Sequence, residues 1–152
     1  MSGYLVDTHV LSAGAPDRRP DHADVLAWME RHTEALYLSV ITVTQIEAGI
    51  AKATREGASR KAEALRAWWD TVEHLHGHRI IPVDHGVARM AGVLTDRVRG
   101  RCNAPGLADI IIAATARTHG LTLLTRNLRH FAPFGIAVLD PFDPATSLLK
   151  EM

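Results

Sequence analysis

Cysteine is almost absent. Cys102 stands alone in 152 residues, which excludes an intramolecular disulfide and a cysteine-rich zinc site and fits a reducing compartment. An excess of either charge is also missing. Lys plus Arg and Asp plus Glu number 17 each, so no overall field draws the chain to nucleic acid or to a membrane. Any such contact must come from local patches. No run approaches the roughly 18 consecutive apolar residues of a membrane span, and Asp7 interrupts the stretch where a signal peptide needs its apolar segment. A cytoplasmic protein with no membrane contact is therefore expected. Internal repeats and low-complexity tracts are lacking too. What is present is ordinary: 47% hydrophobic and 22% charged residues support a packed core, and the length suits one domain rather than two.

Along the chain, short apolar runs alternate with helical patterns. Tyr4-Leu5-Val6 reads as a buried strand that ends in a loop at Asp7-Thr8-His9. A polar loop over 15–21 precedes a helix over 22–32, with Val25, Leu26 and Met29 on one stripe. A strand over 36–40 leads into a helix whose start is marked by two overlapping Ser/Thr-x-x-Glu/Gln patterns at 42–47. That helix runs to about residue 56, Gly57-Ala58-Ser59 breaks it, and a second helix over 60–74 folds back to make a protruding helical hairpin. A strand at 80–83, a helix over 87–99 capped by Asp84, and an apolar helix over 107–119 closed by Gly120 follow. Strands at 121–124 and 136–139, with a helical turn at 128–131 between them, complete the pattern. The expectation is an α/β fold with a central, mostly parallel, five-stranded sheet and helices on both faces.

Ligands of such sheets sit outside the carboxyl ends of the strands, which directs attention to Asp7. Asp109 lies near the start of the apolar run Leu107-Ala108-Asp109-Ile110-Ile111-Ile112-Ala113-Ala114. A carboxylate there requires a compensating partner or cation. Each has a plainer reading: Asp7 as a turn former, Asp109 as a first-turn acid that complements the helix dipole.

The segments Asp7-Thr8-His9-Val10-Leu11-Ser12, Leu38 through Gly49, Asp109 through Ala116, Thr125-Arg126-Asn127-Leu128-Arg129-His130-Phe131 and Leu139-Asp140-Pro141-Phe142 together resemble the PIN-domain ribonucleases. The similarity is greatest to the VapC toxins of toxin–antitoxin pairs and to FitB-like proteins. It implies a PIN domain over 1–142 with a tail over 143–152, and a divalent-metal-dependent ribonuclease using Mg2+ or Mn2+. Asp7 and Asp109 match the family's first and third acids and would hold the metal. Where many relatives carry a second and a fourth acid, this chain has Gln45 and Asn127. An amide can ligate or orient water but cannot serve as a carboxylate base. Both also have structural readings, Gln45 within a capping box begun by Thr42 and Asn127 as a helix cap. Glu47, two residues beyond Gln45, would point about 200° away from it on a helix.

Arg99, Arg101, Arg126 and Arg129 cluster near the expected site and are candidates for binding substrate phosphates, or are simply solvated. His9 and His130 could approach the site or serve as surface or capping residues. His74, His76 and His78 would share a side only in an extended segment, a weak zinc pattern. Trp68 and Trp69 diverge by about 100° on a helix, so one should be partly exposed. By resemblance both belong to a surface that takes an antitoxin, with edge packing of the hairpin as the alternative. The implied partners are a VapB-like antitoxin, an RNA substrate (tRNA or mRNA), a second copy in a homodimer, and operator DNA only through the antitoxin. Two rivals remain: a PIN-fold binding module with weakened nuclease activity, and a phosphotransfer enzyme with Asp7 as nucleophile.

Overall fold

The computed structural model describes residues 3–17 and 22–146. Residues 18–21 of the expected loop and 147–152 of the expected tail lie outside them. Five strands, β1 (Tyr4–Val6), β2 (Leu36–Ser39), β3 (Ile80–Ile81), β4 (Thr122–Leu124) and β5 (Val138–Leu139), form one sheet in the order β3-β2-β1-β4-β5. Every pairing is parallel. The sheet is thus wholly rather than mostly parallel, as helical crossovers between successive strands require.

Strand periodicity explains why the runs are apolar throughout. Neighbouring side chains point to opposite faces, and here both faces are covered. Leu5 and Leu123 belong to one core with α5 (His85–Arg97), α6 (Leu107–Thr118), Phe131 and Phe134. Val6 and Leu124 belong to the other, with α2 (Ala23–Arg31), α3 (Val40–Arg55) and α4 (Ser59–His76). The expected stripe on α2 is corrected at one position: Trp28, 2% exposed, takes the core place beside Val25 and Met29, and Leu26 is only partly buried.

Helix ends follow local chemistry. Asp84 Oδ1 accepts from the Val87 amide at 2.9 Å, the expected cap of α5. Gly120 adopts φ 64° after α6, where the Leu121 amide returns to the Ala116 carbonyl. Three expectations change. The segment after Asp7 is a five-residue helix, α1 (Thr8–Ser12), instead of a loop. Helix α3 starts at Val40, capped by the Ser39 hydroxyl, which accepts from the Ile41 amide at 3.0 Å; Thr42 and Gln45 therefore lie inside the helix and form no capping box. Helix α4 extends through His76, so His74 and His76 diverge on helical backbone. Burial keeps the His76 pKa below the usual histidine value, against the opposing pull of its contact with the Leu36 carbonyl. Among the described residues no group of three His, Cys, Asp or Glu converges as a metal site.

Candidate active site

The strand order reverses between β1 and β4: β1, β2 and β3 run outward in one direction, and the chain then returns to add β4 and β5 on the other side. A crevice opens at the carboxyl ends where such a reversal occurs. Asp7 directly follows β1, and its amide donates to the Leu124 carbonyl at 2.9 Å, so the ends of β1 and β4 are joined at the crevice floor.

Asp7 is 6% exposed, and its carboxyl is pushed above the ordinary aspartate value by burial. The negative charge of Asp109 pushes in the same direction, which puts the two acids within electrostatic reach of each other. Opposing this are the Thr125 hydroxyl, which donates to Asp7 Oδ2 at 2.9 Å, the nearby His9 and the Thr8 amide. Thr125 is itself fully buried and also receives the Asn127 amide at 3.1 Å. Asp7 caps no helix amide with its side chain although it precedes α1. Its turn-former reading therefore leaves the buried carboxylate unexplained.

Gln45, from the second turn of α3, reaches the same crevice, where the Thr8 hydroxyl donates to its Oε1. Thr8 also bonds the Thr42 hydroxyl at 2.9 Å. The crevice is lined by Asp7, Thr8, His9, Gln45, Arg126 and Asn127 among others. Asp109, in the first turn of α6, is held by His130: Nε2 lies 2.6 Å from Oδ2. Asn127 stands at the N-cap position of the short helix α7 (Leu128–Phe131), but its side chain caps nothing, and it lines a second cleft together with Arg101, Arg129 and His130. Of the four residues singled out by resemblance, Asp7, Gln45 and Asn127 line the crevice, and Asp109 is tied to the adjoining cleft through His130.

Other expectations separate. Glu47 stays out of the crevice because Arg66 on α4 clasps it, donating to both carboxylate oxygens at 2.8 and 2.6 Å. Arg99 faces Asp96 at 3.8 Å and is largely solvated; it lines neither cleft, so of the four candidate arginines it is the one the fold leaves aside. Trp69 is completely buried in the core, which removes it as a surface for a partner. Trp68 is half-buried and lines a groove between α3 and α4 that opens at Thr8 and Gln45, beside the crevice. Sequence reasoning assigned no role to Thr8 or Thr125. For Thr125 the only signal was its place at the end of β4, two residues before Asn127. The sequence suggests only that His130 approaches the site, and its particular contact with Asp109, 21 residues away, is not foreseeable from it.

A wholly parallel five-stranded sheet with helices on both faces defines an α/β protein whose strand-end crevice holds the buried Asp7. Residues 4–134 match the PIN domain family, and the chain belongs to it. It is 34% identical to the VapC ribonuclease Y4jK of Sinorhizobium fredii, over 93% of this chain and 99% of that protein. It is 31% identical to the toxin FitB of Neisseria gonorrhoeae, covering 91% and 97%. The crystal structure of FitAcB from the same organism superposes with a TM-score of 0.77 at 31% identity, over 91% of this chain and 97% of that one. No helix among the described residues is long and apolar enough to cross a membrane.

Proposed function

We propose that the chain is an endoribonuclease that hydrolyses RNA phosphodiesters with Mg2+ or Mn2+, and is the cytoplasmic toxin of a VapBC-type pair restrained by a VapB-like antitoxin. The observation that carries this reading is the buried Asp7 carboxylate. It lies within reach of a second carboxylate, and among the described residues no lysine or arginine pairs with either. Two such acids repel each other. The compensation that suits hard oxygen donors is a divalent cation, which keeps several of its own waters. Similarity over nearly the full length to a VapC ribonuclease and to FitB supports the reaction and the partner. A solved structure of FitAB bound to a DNA fragment, 29% identical to this chain, supports a link to operator DNA through the antitoxin, and a homodimer is proposed alongside it.

In this reading Asp7 and Asp109 hold the cation. When bound, it activates water and offsets phosphate charge. Gln45 and Asn127 present amide groups that orient water or substrate. Arg126 binds phosphate in the crevice, and Arg101 and Arg129 bind it in the adjoining cleft. Replacing Arg101 and Arg129 with Gln should raise KM for RNA about tenfold and flatten the salt dependence of binding by about 0.7 per lost contact. Arg99→Gln should change neither. Equal effects of all three would mean the clefts do not guide the strand.

The groove beside Trp68 is the proposed seat of the antitoxin segment. It combines apolar Ile46, Ile50 and Leu65 with Lys52 and Lys61 and ends at the crevice.

The second reading, a binding module with faded nuclease activity, draws on Gln45, whose oxygen is already engaged by Thr8. Calorimetry with Mn2+ and cleavage over a Mn2+ titration separate the two. With two acids instead of four, wild type should bind Mn2+ weakly. Gln45→Glu and Asn127→Asp should each tighten binding about tenfold or more in the absence of RNA and lower the stability of the metal-free protein. Wild type that cuts RNA only with the metal supports the enzyme. Wild type that is inert while the double variant cuts supports the module. If neither substitution changes Mn2+ affinity, both amides are outside the site.

A further inference from the structure

A single short segment secures both acids. Thr125 holds Asp7 at 2.9 Å and His130 holds Asp109 at 2.6 Å, and Asn127 lies between them. Asp7 and Asp109 lie 102 residues apart in the chain and belong to different elements. Their side-chain donors come from within six residues, 125–130, that follow β4.

His130 is well placed for such a role. It is the third residue of α7, directly before Phe131, whose ring is 1% exposed in the core, and its imidazole meets that ring edge-on at 5.3 Å. Its own amide donates to the Asn127 carbonyl at 3.2 Å. The imidazole therefore stands on a fixed base. Asp109 needs holding for a reason visible in α6. A first-turn carboxylate ordinarily turns back on the free amides of its own helix, and α6 has no side-chain cap at its N-terminus. Its Oδ2 takes the imidazole N–H instead, which turns the carboxylate away from its helix and leaves Oδ1 for another partner.

We propose that His130 is a positioning residue that presents Asp109 to the divalent cation through a single oxygen, matching what Thr125 does for Asp7. This rests on the metal-dependent reading above. One-oxygen ligation from each acid suits a cation that demands near-octahedral geometry and must retain water and accept phosphate. Partners that orient metal-binding side chains in this way typically contribute 10–100-fold to affinity.

The test is Mn2+ binding by calorimetry without RNA, together with thermal melting and cleavage over a Mn2+ titration, for wild type, His130→Ala, His130→Gln and His130→Phe. His130→Ala and His130→Phe should each weaken Mn2+ binding by about 10–100-fold, and excess Mn2+ should recover cleavage. His130→Gln, whose side-chain N–H has similar reach, should regain most of the affinity. His130→Phe keeps an aromatic body against Phe131, so affinity lost without a fall in Tm separates positioning from packing. Unchanged Mn2+ affinity in His130→Ala and His130→Phe overturns the role of His130 while leaving the metal site standing. Wild type that binds no Mn2+ overturns the metal reading and this inference with it.

Discussion

Asp7→Asn should abolish RNA cleavage and, at neutral pH, make the metal-free protein more stable. The loss of activity should be at least about 10²–10³-fold, the scale of removing one aligned charge-stabilising group, since one of only two carboxylates is gone. The gain in stability follows from burial, which raises the Asp7 carboxyl above its unfolded value. The folded state thus prefers the protonated acid. Stability from this group is fully present below the unfolded value, is lost as pH rises through the raised folded value, and is missing at pH 7. Asparagine carries no charge to lose, so its advantage over wild type should be largest at neutral pH and vanish near pH 4. At this chain length each kcal/mol moves Tm by about 2–4 °C. Added Mn2+ should raise Tm of wild type and leave that of Asp7→Asn unchanged. Melting curves from pH 4 to 8, with and without Mn2+, check both signs. Retained cleavage, or a lower Tm for the variant at pH 7, would contradict the assignment.

The two adjacent tryptophans should behave in opposite ways. Trp69 is 0% exposed amid the α2–α4 core, and Trp69→Ala should cost about 3–5 kcal/mol. That is a drop in Tm of roughly 10 °C or more. Trp68 lies half-buried on the groove wall, and Trp68→Ala should stay within about 1.5 kcal/mol. Antitoxin binding should reverse the ranking: loss of a central aromatic anchor weakens binding about tenfold or more, so Trp68→Ala should bind poorly and the folded remainder of Trp69→Ala should bind normally. Denaturant melts and titration of a peptide from the antitoxin segment measure the two effects. Equal stability losses would mean that Trp68 also serves the core, and undiminished peptide affinity would place the antitoxin elsewhere.

Much of the fold is legible because each apolar strand and its following helix carry local signals. Asp84 before α5 and Gly120 after α6 cap where their chemistry says they should. The start of α3 was misread because Ser39 lies inside an apolar strand run, whereas Thr42 and Thr44 offered a motif that looked better locally. Asp7 and Asp109 are recognisable as acids in apolar company. Thr8 is not, and His130 is recognisable only as a residue near the site, since their contacts span 37 and 21 residues that no periodicity records. The tryptophan pair shows the same limit. Helical geometry states that the two rings diverge, and only packing decides which one turns inward.

The position of β1 at the centre of the sheet has a consequence for synthesis. Its neighbour β2 follows about 30 residues later, but β4, which completes the crevice, pairs with it only after more than a hundred residues. Loop closure over that span must precede any assembly of Asp7 with Thr125. A growing chain therefore carries Asp7 through 118 further residues, but Asp109 through only 21, before the residues that secure them are made. A product that stops short of β4 and the 125–130 segment lacks the contacts that hold Asp7 and Asp109, so the proposed site forms only after both have been made.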